Sequence, residues 1–296
     1  MKTTLEELHT FILIVDKGSI SAAAEDLNQT PSGVSRTLTR LEKKLGITLL
    51  RRTTRRLNLT NEGERFLQSA REVIQALENA EEAVGSKNVL SGTLRIDSAS
   101  PFILHSVVPY LAEFQQLHPE IQLELFNSER YIDLIENRID IAIRLGNLAD
   151  SSLHAVSLGQ SKRRLVASPR YLKARGSPKS VEDLQNHTLI GFTDPRELNH
   201  WPLKNNGSDR YPIKPHYAAS SGETILHMAR NGLGIACLGD FMTIKERQSG
   251  DLVPVLQGAC VEQKEQIHAV YYKNAQLSLR AGVFIKFLKS KLKNAL

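Results

Sequence analysis

The sequence predicts an α/β protein with a small helical head at its N-terminus, and three observations predict it. Helix caps crowd the first sixty residues, an apolar seam follows at 4, 3, 4, 3, 4 spacing, and beyond Thr93 strand patterns alternate with helical ones. The length of 296 residues has room for two or three domains. With 41% hydrophobic and 24% charged residues, the composition excludes a disordered or collagen-like chain. No stretch approaches the roughly 18 apolar residues of a membrane span. Acidic Glu6 and Glu7 stand where a signal peptide needs its apolar core, which argues against export. Two cysteines, Cys237 and Cys260, are too few for a disulfide framework, so a reduced, cytoplasmic protein with inert thiols is expected.

The elements of the head follow in order. Thr4 and Glu7 have capping-box spacing, Leu5, Leu8, Phe11, Ile12 and Val15 recur at helical intervals, and Gly18 ends the run. Ser19 can cap a second helix with Ile20, Ala23, Ala24 and Leu27 inside. Asn28-Gln29 makes a turn, Thr30 caps a third helix, and Pro31 takes the first helical position, where its missing N–H costs nothing. That helix runs to Leu45 and ends at Gly46. Val34, Leu38, Leu41 and Leu45 form one stripe, and Ser32, Ser35, Arg36, Thr39 and Arg40 cluster opposite. Short hydroxyls beside arginines suit the major groove of DNA, and the three helices read as a helix-turn-helix.

Residues 48–60 alternate as a hairpin, with Leu49, Leu57 and Leu59 inward and Arg51, Arg52, Arg55 and Arg56 outward. A basic hairpin beside a recognition helix is a wing placed to touch phosphates or the minor groove. Charge supports this reading. Between Thr30 and Thr60 eight cations face the single acid Glu42, whereas the whole chain carries only +6. The residues expected to meet DNA are Gln29, Thr30, Ser32, Ser35, Arg36, Thr39 and Arg40, with Arg51, Arg52, Thr53 and Arg55 on the wing.

Thr60 can cap a long helix reaching about Lys87, and Phe66, Ala70, Val73, Leu77, Ala80 and Val84 give it a seam with charged flanks. The seam could join two chains or pack on its own. After Thr93, strands are expected at Leu94–Ile96, Ile121–Leu125, Ile139–Ile143, Arg164–Ser168, Thr188–Phe192, Leu233–Cys237 and His268–Tyr272. Helices are expected through Leu104, Val107, Val108, Leu111 and Phe114, around Leu134-Ile135, over Glu223–Asn231 and over Leu279–Leu292. In open α/β sheets ligands sit beyond the carboxyl ends of strands, where helix N-termini favour anions. The candidates there are Ser98, Ser100, Ser128, Arg144, Ser221 and Glu223. Ser100 and Ser221 are also good helix caps, and Arg144 could grip a carboxylate or pair with Asp140. Asn199-His200-Trp201-Pro202 could border a cleft or simply pack.

The head carries a specific pattern: Phe11, Gly18-Ser19-Ile20-Ser21-Ala22-Ala23-Ala24, Leu27, Ser32, Val34-Ser35-Arg36, Leu38, Leu41-Glu42, Leu45-Gly46-Ile47, Leu49-Leu50-Arg51-Arg52-Thr53-Thr54-Arg55 and Leu59-Thr60-Asn61-Glu62-Gly63. It resembles the winged helix-turn-helix of LysR-type transcriptional regulators. Leu50-Arg51-Arg52 departs from the Phe and single arginine common in relatives. The resemblance implies a DNA-binding domain over 1–60, a dimerising linker helix over 61–90 and an effector-binding domain over 91–296. It also implies a two-lobed, periplasmic-binding-protein-like fold, with lobe 1 about 93–161 and 268–296 and lobe 2 about 162–267. Hinges would lie near Ser161 and Ile267. The implied partners are promoter DNA, a small-molecule effector, here expected to be an anion, and further copies of the chain, as a homodimer and then a homotetramer or larger assembly.

Catalytic signals are absent from the sequence. Gly232, Gly234 and Gly239 miss the dinucleotide spacing, no nucleophile elbow or phosphate loop occurs, and no Cys/His group has zinc spacing. A non-enzymatic protein without a cofactor is expected. The competing reading is the solute-binding protein of a transporter, which would leave the basic head without a role.

Overall fold

The computed structural model describes residues 3–52, 57–84, 90–130, 132–146, 148, 153–205, 207–262, 264–272 and 277–293. Contacts divide the chain into two units, one holding residues 1–88 and the other most of the remainder.

In the first unit, α1 (Leu5–Lys17), α2 (Ile20–Asp26) and α3 (Pro31–Leu45) precede the hairpin β1 (Leu50–Arg52) and β2 (Leu57–Leu59), and α4 (Asn61–Val84) follows. The caps are those the sequence predicts. Thr4 and Glu7 close a complete capping box, Ser19 accepts from the Ala22 N–H, and Thr30 accepts from the Gly33 N–H. Gly18 and Gly46 end α1 and α3 in left-handed geometry, at φ 66° and 73°. Phe11, Ile14, Ala23, Val34, Leu38, Leu41 and Leu49 form a core sealed from water. The hairpin pairs Leu50 with Leu59. Leu50 is buried as well, an inward residue that simple alternation from Leu49 misses.

The seam of α4 divides. Phe66 packs on Phe11 at 5.6 Å and Ala70 is buried, together with Leu67 and the partly buried Ile74, which lie off the predicted stripe. Val73 and Ala80 are exposed. The first turns of α4 therefore complete the core of their own head. The cause is local: the Thr60 hydroxyl donates to the Thr48 carbonyl and accepts from the Gly63 N–H, pinning the start of α4 against the hairpin. A Cβ at Gly63 would collide with the Leu49 carbonyl, so only glycine permits this approach.

In the second unit, β3 (Gly92–Ser98) leads into α5 (Ser100–Phe102), a π-helical turn (Ile103–Val107) and α6 (Val108–Leu117). Next come β4 (Ile121–Asn127), β5 (Ile141–Leu145), the long β6 (Leu153–Ala167), α7 (Pro169–Arg175), β7 (Leu189–Phe192), β8 (His200–Trp201) and β9 (Tyr211–Pro212). The chain closes with β10 (Tyr217–Ala219), α8 (Gly222–Arg230), β11 (Ile235–Gly239), α9 (Asp240–Ser249), β12 (Val253–Pro254), β13 (Lys264–Tyr272) and α10 (Leu279–Leu292). The strand order is β10-β7-β11-β6-β13-β5-β3-β4, with β12 beside β6.

Two half-sheets share the antiparallel pair β6 and β13. β6 pairs β13 from Leu153 to Lys162 and β11 from Arg163 to Val166. A register shift interrupts the pair between Ile267 and His268. α10 returns to the first half-sheet, where Phe284 meets Phe114 of α6 edge-on at 5.1 Å.

Three expected features differ. Residues 134–138 form turns instead of a helix, because Arg138 adopts φ 55° and ends the segment after one turn. Ser100 begins α5 without capping it; Ala99 is the N-cap and makes no side-chain bond. Leu104 and Val108, on the apolar helix expected here, are 48% and 44% exposed. The π turn between them adds a residue to the helical repeat and rotates them outward.

Candidate nucleic-acid interface and effector cleft

On α3, the buried stripe Val34, Leu38 and Leu41 fixes which face stays free. Gln29, Thr30, Ser32, Arg36, Thr39 and Arg40 are exposed, and Ser35 is half-buried. The Arg36 Nε donates to the Ser32 carbonyl at 3.3 Å, laying the guanidinium along the first turn. The Thr39 hydroxyl donates to the Ser35 carbonyl at 2.9 Å, so its oxygen is left as an acceptor. Arg51 is exposed on the wing. Thr53 and Arg55 lie outside the described residues, as does the side chain of Arg52.

Arg40 is exposed and is also engaged within the head. Its Nε donates to Oε1 of Glu7 at 2.7 Å, and the Lys44 Nζ donates to Glu7 Oε2 at 3.0 Å. Four residues beyond Arg36 a helix has turned about 40° further, which brings Arg40 over α1. Burial alone would raise the Glu7 pKa. Hydrogen bonds from Lys44, the Thr4 N–H and Arg40 more than offset it, and the carboxyl is held down at about 2. Glu42, the lone acid of the basic window, accepts from the Leu49 and Leu50 N–H groups at 2.8 and 3.1 Å and sets the entry to the hairpin. Neither role had a sequence signal beyond the capping box.

In the second unit the carboxyl ends of β3, β4 and β5 bring Ser98, Ser100, Ser128 and Arg144 into one neighbourhood. Gly222, next to Ser221, approaches Pro101 so closely that a Cβ would stand 3.1 Å from its Cγ. Several of these groups are already engaged. The Ser98 hydroxyl is buried and donates to the Ile143 carbonyl at 3.0 Å, because its side chain points between strands instead of outward. Arg144 Nη1 lies 2.8 Å from Oδ2 of fully buried Asp97. Asp140, one of the two partners the sequence allowed for Arg144, accepts from the Arg95 N–H at 2.7 Å. Glu223 faces His105 Nε2 at 2.8 Å and His227 at 3.5 Å. The Ser221 hydroxyl caps α8 by accepting from the Glu223 N–H. Ser100 and Ser128 stay half-exposed. Trp201 is buried in the core of the second half-sheet, and Asn199 binds both backbone groups of Phe192. Both are packing residues.

Residues 5–64 match the bacterial regulatory helix-turn-helix proteins of the lysR family, and residues 87–293 match the LysR substrate binding domain. The chain belongs to the LysR-type transcriptional regulators. It is 43% identical over 297 residues to the HTH-type transcriptional regulator CrgA of Neisseria meningitidis serogroup C, covering 100% of this chain and 99% of that protein. It is 32% identical to the transcriptional activator TtdR of Escherichia coli K12, over 96% of this chain and 92% of the relative. Among solved structures, CrgA superposes with a TM-score of 0.67 at 42% identity, over 98% of this chain and 99% of its own. The full-length virulence activator AphB of Vibrio cholerae gives 0.59 at 28%, over 99% of this chain and 100% of its own.

Membership in the LysR-type family assigns the helical head to DNA and the α/β unit to a small-molecule effector. The transporter reading finds no support among these relatives, which are transcriptional regulators. No helix among the described residues is long and apolar enough to cross a membrane.

Proposed function

We propose that this LysR-type regulator reads its operator with the exposed side of α3 and holds the flanking backbone with the wing, acting in the cytoplasm as a homo-oligomer. The exposed row Ser32, Arg36 and Thr39 above a fully buried stripe carries this reading. Ser35, half-buried, sits at the edge of that row, and Gln29 and Thr30 flank its start. Arg40 contributes charge near the interface but reaches DNA only by leaving Glu7. Replacing Arg36 by Ala should cost about 1–3 kcal/mol of operator binding and relax sequence choice. Replacing Arg51 should weaken binding to all sequences alike and flatten the salt dependence. Footprinting and salt titrations on the native promoter decide; full affinity and specificity in Arg36→Ala would remove α3 from the interface.

We further propose that the effector is a small organic anion held near Ser100, Ser128 and Ser221. With Arg144 compensated by Asp97, recognition would rest on hydroxyls and backbone N–H groups at strand and helix ends. Effector binding would bias the angle between the half-sheets, and the linker helices would pass that bias to the DNA heads. The coupling cannot exceed the ligand's preference between the two states, typically about 1–3 kcal/mol. Thermal-shift screening of the whole protein would find the ligand. Calorimetry on Ser100→Ala should then show a clear loss of affinity, and Arg144→Met a loss through disordering of Asp97. Unchanged binding in both would move the site elsewhere.

A further inference from the structure

A cavity of about 840 Å³ lies apart from the serine cluster and shares no lining residue with it. Its walls come from β6 (Ser157 to Lys162, and Arg164), one side of α9 from Asp240 to Arg247, Lys264 of β13, the last turn of α10 and Lys293 just past it. The volume falls in the range of small-molecule sites. Six cations line the cavity against one acid, Asp240.

These cations fall into two sets. Arg164 and Arg247 both hydrogen-bond Oδ1 of Asp240, which fixes the two guanidiniums as a rigid wall. Lys162 pairs with Glu262 at 2.7 Å. Lys264, Lys289 and Lys293 are exposed residues that line one concavity from two sides, and Glu262 lies near enough to Lys264 to feel its charge. Cations still outnumber acids around the concavity, and a bound polyanion would complement that excess. Lysine ammoniums act as point charges, and several of them together suit a compact ligand with many charged oxygens, such as a polyphosphate; Arg164 and Arg247 are already held by Asp240.

We propose that this cavity is a second ligand site, for a small organic molecule carrying two or more phosphate groups. It is independent of where the effector binds and of which residues touch DNA. The site also has a mechanical consequence. α9 packs on β11 of one half-sheet and already touches α5 and the π turn of the other, beside which α10 packs on α6. A ligand bridging Arg247 and Lys289 would reinforce that link between the half-sheets.

The test uses the full-length protein and sodium tripolyphosphate, followed by calorimetry and by hydrogen exchange. The expected result is saturable binding that protects 157–164, 240–249 and 286–293. Affinity should fall at least tenfold in Lys264→Gln/Lys289→Gln, and in Lys289→Glu alone, should the double variant prove unstable. Binding in Arg36→Ala and Ser100→Ala should match the parent. Absent binding, protection confined to residues 31–60, or unaltered affinity in both lysine variants would overturn the proposal. Equal affinity for citrate would overturn the choice of phosphate.

Discussion

The Glu7 carboxylate accepts hydrogen bonds from the Thr4 N–H, Arg40 and Lys44 while its side chain is wholly shielded from water. It thereby joins the first turn of α1 to the recognition helix. Its folded pKa of about 2 lies below the ordinary 4.5, so the carboxylate form is favoured by folding. The stability it adds is fully present above about pH 4.5 and is lost as pH falls toward 2. The size is on the order of 3 kcal/mol. Glutamine at this position can keep the Thr4 N–H bond through its amide oxygen, but it removes the charge and turns an NH2 towards the Arg40 donor. Glu7→Gln should therefore lower amide-exchange protection of α1 and α3 at pH 6, yet lose much less than the parent between pH 5 and pH 3. A parallel acid response in both proteins would mean that Glu7 is not the titrating group.

At the scale of elements, α4 shows how one amphipathic helix serves two surfaces. Ala70 is 1% exposed inside the head, whereas Val73, three residues on, is 43% exposed. A helix of 24 residues outruns the small core beneath it, so its later turns present apolar groups that a second copy can cover. Val73→Asp should leave each head folded and separate the dimer, because a carboxylate would be buried only between chains. Ala70→Asp should unfold the head itself. Sedimentation of the full-length variants, with circular dichroism beside it, distinguishes the two. A Val73→Asp protein that stays dimeric would show that α4 does not join the copies through this face.

For the molecule as a whole, the effector unit is held by two strands and by a few contacts between its half-sheets. Gly222 sits against both Pro101 and Met242, and Glu223 meets His105 one position on. A side chain at residue 222 crowds both, since its Cβ would stand 3.1 and 3.2 Å from those neighbours, which must give by a few tenths of an ångström. Gly222→Val should destabilise the unit by about 1–3 kcal/mol, the usual cost of overpacking. It should also widen the angle between the half-sheets, which small-angle scattering of the full protein would detect as a larger radius of gyration. An unchanged melting temperature would show that the Pro101 contact yields freely.

The sequence by itself determined what depends on neighbours within about four residues: the caps at Thr4, Ser19 and Thr30, the stops at Gly18 and Gly46, the stripe of α3 and nine of the thirteen described strands in whole or in part, with β8, β9, β10, β12 and most of β6 missed. The family pattern of the head was legible for the same reason, since its signature residues serve those local turns. Tertiary structure alone decided which polar groups remain free. Arg40 finds Glu7 across 33 residues, Ser98 finds Ile143 across 45, and His105 finds Glu223 across 118. No periodicity encodes such pairs. A buried polar group takes whatever partner the fold brings within hydrogen-bond reach, because remaining without one costs more than any local preference can offset.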